Sequence, residues 1–318
     1  MPNYQGVWSL STQFQAQGEG NWPIILDGDI ALVFGNGEGT NLASIDYFTL
    51  TSTGNAADFG DMSSARGHLA ALGNSTRGVT AGGIEASSIN VIEFVQFKNL
   101  GNTTDFGDLS EATRNPTGAA SSTRGIIAAV GGQTSVTIEY ITISTAGNSA
   151  DFGDTTVGRQ MDDAAATSTT RAVFCGGYDG TRSNVMDYIT MATTGNATDF
   201  GDLTVGRNAV GATSSSTRGV MAGGYSSGGP VNTIDYITIS STGNATDFGD
   251  LSATKYGTGS TSNSTRGVFC GGTTTGATQL SDIEQVTIAT TANATDFGDL
   301  TIGRFLGAAC SNAHGGLS

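Results

Sequence analysis

Asp-Phe-Gly-Asp occurs six times along this chain, with its Phe at Phe59, Phe106, Phe152, Phe200, Phe248 and Phe297, so a unit of 46 to 49 residues is written over and over. A unit that short cannot bury both faces of a small sheet by itself, and the copies must therefore stack on one another. Residues 206–250 give the pattern cleanly. Four β-rich segments, 207–216, 217–224, 233–240 and 246–251, are separated by Ser, Thr, Gly and Asn turn signals, and none has helical periodicity.

This reading predicts an all-β fold: a six-bladed β-propeller with four antiparallel strands per blade, spanning residues 29–318, after an attachment segment at residues 1–28. The first segment of each unit is the poorest in bulky side chains, which suits the strand nearest a crowded axis. Residues 29–35 read as a second strand with no first strand before them, and residues 304–310 read as a first strand with no second strand to follow. The C-terminal strand is therefore expected to complete the first blade and remove an open edge.

The second segment ends in a Gly pair at Gly82-Gly83, Gly131-Gly132, Gly176-Gly177, Gly223-Gly224 and Gly271-Gly272. An aromatic follows at Tyr47, Phe94, Tyr140, Tyr188 and Tyr236, each preceded by an acid. This arrangement resembles the Kelch repeat, with the Phe of Asp-Phe-Gly-Asp standing where Kelch blades carry a Trp. The sequence departs from it at Gln285, the sixth aromatic position, and in the constant 12 residues from that position to the Phe. Ligand sites of Kelch proteins are accordingly not carried over.

The formal net charge of -15 opposes a nucleic-acid partner, and no stretch approaches the roughly 20 apolar residues that span a bilayer. The N-terminus lacks the basic start and apolar core of a secretory signal. Cys175, Cys270 and Cys310 have no ligand spacing and read as small buried residues.

Eleven of the 13 basic residues recur at two repeat positions: Arg66, Arg114, Arg159, Arg207, Lys255 and Arg304 after the fourth strand, and Arg77, Arg124, Arg171, Arg218 and Arg266 at the start of the second. Charges that recur in every copy read as scaffold, with Asp accepting turn N–H groups and Arg tying strands together. Calcium is the alternative, but Asn244, Asp247 and Asp250 offer three oxygens where calcium takes about six to eight. Two histidines, His68 and His314, do not support a copper site, and no nucleophile stands in a motif with a base. The expectation is no catalytic residue, no metal and no cofactor, although carboxylate pairs leave a carbohydrate-active enzyme open.

Binding is expected where the copies differ. From Gly pair to acid, the connection between second and third strands runs 10, 7, 10, 11 and 12 residues. On that face Tyr178, Asp179 and Arg182 are expected beside Tyr225, Lys255 and Tyr256, a set suited to a sugar or protein surface. The leader carries both tryptophans, and Trp8, Phe14 and Trp22 read as docking anchors. Its Gly6-Val7-Trp8 and Trp22-Pro23 resemble leaders of bacteriophage tail and virion proteins. That resemblance implies a non-enzymatic virion component such as a tail fibre, baseplate or head appendage, made in the host cytoplasm and multimeric in the particle. Its implied partners are other virion proteins and a host-surface glycan or protein, with pure structural decoration as the alternative.

Overall fold

The computed structural model describes residues 26–36, 41–132, 134–162, 164–275 and 278–313. Among these the protein is all-β, with 27 strands and no helix, arranged in seven antiparallel sheets. Six sheets have four strands, and each contains one Asp-Phe-Gly-Asp; they are numbered here in the order of those motifs. The fifth runs Gly211–Ser214, Arg218–Ala222, Thr233–Thr238, Thr246–Asp250 in spatial as well as chain order.

The first sheet differs in connectivity. Its strands Ile30–Phe34, Ser44–Thr49 and Ala57–Asp61 take Ala308–Ser311 as their fourth member. Ala31 pairs with Ser311 and Phe34 with Ala308, and Ile30 N–H donates to Asn312 Oδ1 at 2.7 Å. The two ends of the described chain are thus held in one sheet.

The seventh sheet departs from the expectation of six. In the fifth repeat the connection after Gly224 is long enough to fold as a hairpin, Tyr225–Ser226 against Gly229–Pro230, which adds Arg207–Asn208 as a third strand. Ser226 Oγ fixes the turn by donating to Gly229 O and accepting from Gly228 N–H.

Burial follows the sequence pattern strand by strand. The innermost strand of the fifth sheet, Gly-Ala-Thr-Ser, is buried throughout, whereas its outermost strand buries only the Phe. Innermost strands lie against one another, and small residues are required there because a Cβ on Gly118 would sit 2.3 Å from Ala71 O. Their hydroxyls bridge the strands: Ser262 Oγ donates to Ser214 O (2.7 Å) and Ser311 Oγ to Ser262 O (2.6 Å). The apolar clusters form between sheets, as where Val220, Ile234 and Phe248 of the fifth meet Phe269, Val286 and Ile288 of the sixth.

A repeated seam joins successive sheets at their outer strands. Asp61 N–H donates to Asn102 Oδ1 (3.0 Å), Asp202 N–H to Asn244 Oδ1 (3.0 Å), and Asp299 N–H of the sixth sheet to Asn55 Oδ1 of the first (3.1 Å). The acceptor in this seam is the Asn of the next copy; the acids before the aromatic position do accept turn N–H groups as expected, Asp187 from Thr156, Asp235 from Thr204 and Asp46 from Thr301. The motif glycine makes room for the seam: Gly201 has φ +139°, and a Cβ there would meet Gly243 O at 2.5 Å.

Candidate functional site

Both recurring sets of basic residues have structural roles. Arg77, Arg124, Arg171 and Arg218 lie over the aromatic ring of their own third strand, 4.3 to 4.5 Å from the centroid. Each also donates through Nη1 to a carbonyl of the next sheet, as Arg218 does to Ile288 O (3.0 Å). Arg266 makes the corresponding bond to Leu50 O of the first sheet (2.6 Å).

The other set forms buried ion pairs with the acids before the aromatic position: Arg66–Glu93, Arg159–Asp187, Arg207–Asp235 and Arg304–Asp46, at 2.7 to 2.9 Å. Lys255 belongs here too. Its side chain is fully buried and its Nζ pairs with Asp282 and Glu284, so it does not join the exposed ligand patch where the sequence had placed it. The third sheet breaks the rule because one extra residue between Asp108 and Arg114 moves the guanidinium out of register. There Thr113 is buried instead, and Glu139 accepts from the hydroxyls of Ser110 and Ser149.

Burial pushes the Cys175 thiol up to about 12 and raises that of Cys270 as well, so both are inert packing residues.

The remaining proposed ligand residues converge. Tyr178 and Tyr225 are half-buried, and the exposed Arg182 has its guanidinium carbon 5.3 Å from the first ring centroid and 5.0 Å from the second. Tyr225 meets Tyr256 edge-to-face at 4.9 Å, and Tyr256 meets Phe305 in the same way at 5.1 Å. Tyr178 is fixed by paired backbone bonds to Gln160 and Tyr256 by a bridge to Thr273, so the row stands on strand pairings. Asp179 is a turn residue. Its carboxylate accepts from the Thr181 N–H and hydroxyl, both at 2.9 Å, and these bonds hold its pKa below the usual value. Trp8, Phe14 and Trp22 lie outside the described residues.

The row draws on residues that the repeat does not explain. Arg182 is one of two basic residues, with Lys98, outside the recurring positions. Tyr178, Tyr225 and Tyr256 are the only tyrosines outside the strand slot and the leader. Phe305 was not anticipated, though it follows Arg304 just as Tyr256 follows Lys255.

A second set, also not anticipated, lies where the innermost strands begin. Asn115 Nδ2 sits 3.0 Å from His68 Nδ1 and also donates to the Asp162 carboxylate. Burial, with Arg114 as the lesser cause, lowers the His68 pKa to about 4; burial raises that of Asp162. Because the folded value of His68 lies below its ordinary 6.5, its contribution to stability is complete above that pH and is lost as pH falls toward 4. Asp162 acts in the opposite sense, its contribution being present at low pH and lost as pH rises through its raised pKa. His68→Asn is therefore expected to flatten the fall in Tm between pH 6.5 and 4, measured beside the unaltered protein; parallel curves would refute the assignment.

No protein-family model matches the chain, and no curated protein matches it.

Proposed function

We propose that the six four-stranded sheets are the blades of a closed, Kelch-like propeller, and that the protein is a non-enzymatic binding component of a phage virion. Support for closure comes from the sixth-to-first seam, from Arg266 reaching Leu50, and from Arg304 reaching Asp46. Residues 29–318 form the display module. Residues 1–28 serve as the docking segment toward another virion protein, a reading that rests on the aromatic leader.

The observation that carries the binding role is the convergence of Tyr178, Tyr225 and Tyr256, the tyrosines outside the strand slot and the leader, with Arg182 in one surface row. Aromatic rings held by backbone pairings offer pre-ordered apolar area, and a guanidinium between two of them adds a directed donor set for a carboxylate or hydroxyl. A host-surface glycan with acidic groups has that complementary chemistry.

The test is binding of the full chain to a glycan array and to host cell envelopes. Tyr225→Ala and Arg182→Ala are each expected to weaken binding by about tenfold or more, with Tm unchanged in Arg182→Ala and lowered slightly in Tyr225→Ala by the lost contact with Tyr256. Unchanged binding in both variants would remove this face from the function, and turnover of a bound glycan would make the protein an enzyme. Absence of the chain from purified virions would overturn the virion assignment.

A further inference from the structure

In the second to fifth sheets the Arg that opens the second strand covers a ring of the third strand, with its guanidinium carbon 4.3 to 4.5 Å from the centroid. The sixth sheet has the Arg without that ring. Gln285 stands in the aromatic position and turns its Nε2 to Asp296 O, and the guanidinium carbon of Arg266 lies 5.5 Å from the centroid of the buried Phe297. What the other copies fill is here an open cleft of about 420 Å³, lined by Arg266, Gln285, Thr287, Ala292, Asn293 and Thr295 among others. Its size falls in the range of ligand sites. Ala292 is a second departure at the same place, since the other five copies have Gly54, Gly101, Gly147, Gly195 and Gly243 there.

No aromatic side chain is exposed among the described residues, so the spare rings are those of residues 1–25, Tyr4, Trp8, Phe14 and Trp22. The chain enters beside the cleft. Asp29 Oδ2 accepts from Asn263 Nδ2 (2.9 Å), and Asn263 Oδ1 accepts from the Arg266 N–H (2.8 Å). Leu50 joins the same two residues, its N–H donating to Asp29 O (2.8 Å) and its carbonyl accepting from Arg266 Nη1 (2.6 Å). Before Asp29, the N–H of Leu26 donates to Lys98 O (2.9 Å). Trp22 stands four residues earlier. That length of chain spans up to about 14 Å, to which the side chain adds its own reach. Pro23 favours an extended backbone at Trp22, which makes most of the span available.

We propose that this cleft seats the indole of Trp22 of the same chain, which supplies the ring that Gln285 leaves out. Indole is the side chain that a guanidinium attracts most strongly, and a tether of a few residues holds it at a millimolar effective concentration. The amides and hydroxyls of Gln285, Asn293 and Thr295 suit its polar N–H edge. The inference rests on the reading of residues 1–28 as the docking segment, and it adds where that segment departs. Arg266 opens the second strand, whereas Tyr256 of the aromatic row pairs with Thr273, beyond that strand's other end. Seating Trp22 therefore sends residues 1–21 away from the end of the sheets opposite the row, and attachment does not compete with display.

Tm is compared for the full chain, for Trp22→Ala, for Gln285→Tyr and for the two changes together. Gln285→Tyr rebuilds the ring that Tyr236 places under Arg218, so its own Tm is expected to be equal or higher. Trp22→Ala is expected to lower Tm by about 2–4 °C alone and not at all beside Gln285→Tyr. With Trp8→Phe in place, Trp22 is the only indole in the chain. Its emission is expected to be shielded from acrylamide at every protein concentration, and to lose that shielding with Gln285→Tyr. A freely quenched Trp22, shielding that survives Gln285→Tyr, or a Trp22→Ala effect that is the same in both backgrounds would each overturn the proposal. Shielding that disappears on dilution would give the ring to a neighbouring copy and overturn it too. Absence of the chain from purified virions would remove the docking reading while these Tm and quenching results still stood.

Discussion

Removing residues 308–318 is expected to leave a chain that does not fold stably. The deletion takes away Ala308–Ser311, the only innermost strand that the first sheet has. Four residue pairs with Ile30–Phe34 are lost, together with the packing of Ala308 and Cys310 against Leu32 and Phe34. Each hydrogen bond contributes about 1 kcal/mol net, and the exposed apolar surface adds to that, so the loss is of the order of 5 kcal/mol and comparable to a domain's whole stability. The strand left behind, Ile-Ala-Leu-Val-Phe, is buried along its full length in the intact protein and would become a long apolar edge. Such an edge recruits other chains, so aggregation should accompany unfolding. Circular dichroism melting and size-exclusion chromatography check this. A truncated monomer with the original Tm would show that the first sheet does not depend on the far end of the chain.

Arg207→Ala is expected to cost about 3–5 kcal/mol, because it strands a charge that water cannot reach. Both Arg207 and Asp235 are fully buried, and the guanidinium donates to Asp235 Oδ2 (2.9 Å), Gly223 O (2.8 Å) and Thr233 O (2.7 Å). Burial alone lowers the Arg207 pKa, and Asp235 is the principal influence opposing that shift. The Thr204 N–H and hydroxyl also bind Asp235, but neither brings a positive charge. Replacing the pair together, as Arg207→Met with Asp235→Leu, should recover much of the loss, since the apolar pair has no charge to desolvate. The exposed Arg182→Ala, by contrast, should stay within about 0.5 kcal/mol. Urea denaturation midpoints at a common slope measure all three. If the single and double variants were equally unstable, lost packing rather than a stranded charge would be the cause.

Much of the scaffold was legible because each copy repeats the same physical solution. Phe248 stands a constant 12 residues after Tyr236, as the Phe does in every copy, and the pair meets edge-to-face, with centroids 6.0 Å apart. Even the exception was written in the chain: Gln285 replaces the sixth aromatic and bonds Asp296 O through Nε2. Lys255 was half legible. Its repeat position marked it as scaffold and its neighbour Tyr256 suggested a ligand face, and burial against Asp282 and Glu284 decided for the first. The seventh sheet was not legible, because Ser-Ser-Gly-Gly-Pro reads equally as an open loop and as a tight turn until Asn208 is seen to pair with Tyr225.

The sequence by itself determined the repeat unit and the order of its four strands, with the smallest residues on the innermost one, because periodicity and residue size are local properties that every copy restates. Only the tertiary structure decided which acid each buried cation meets, that Arg182 stands between Tyr178 and Tyr225, and that His68, Asn115 and Asp162 share one corner. The physical reason is the same in all three cases. Apart from Tyr178 and Arg182, which face each other in one hairpin, those contacts join residues 27 or more positions apart, and their energies depend on desolvation and distance, which arise only when separate copies are packed together.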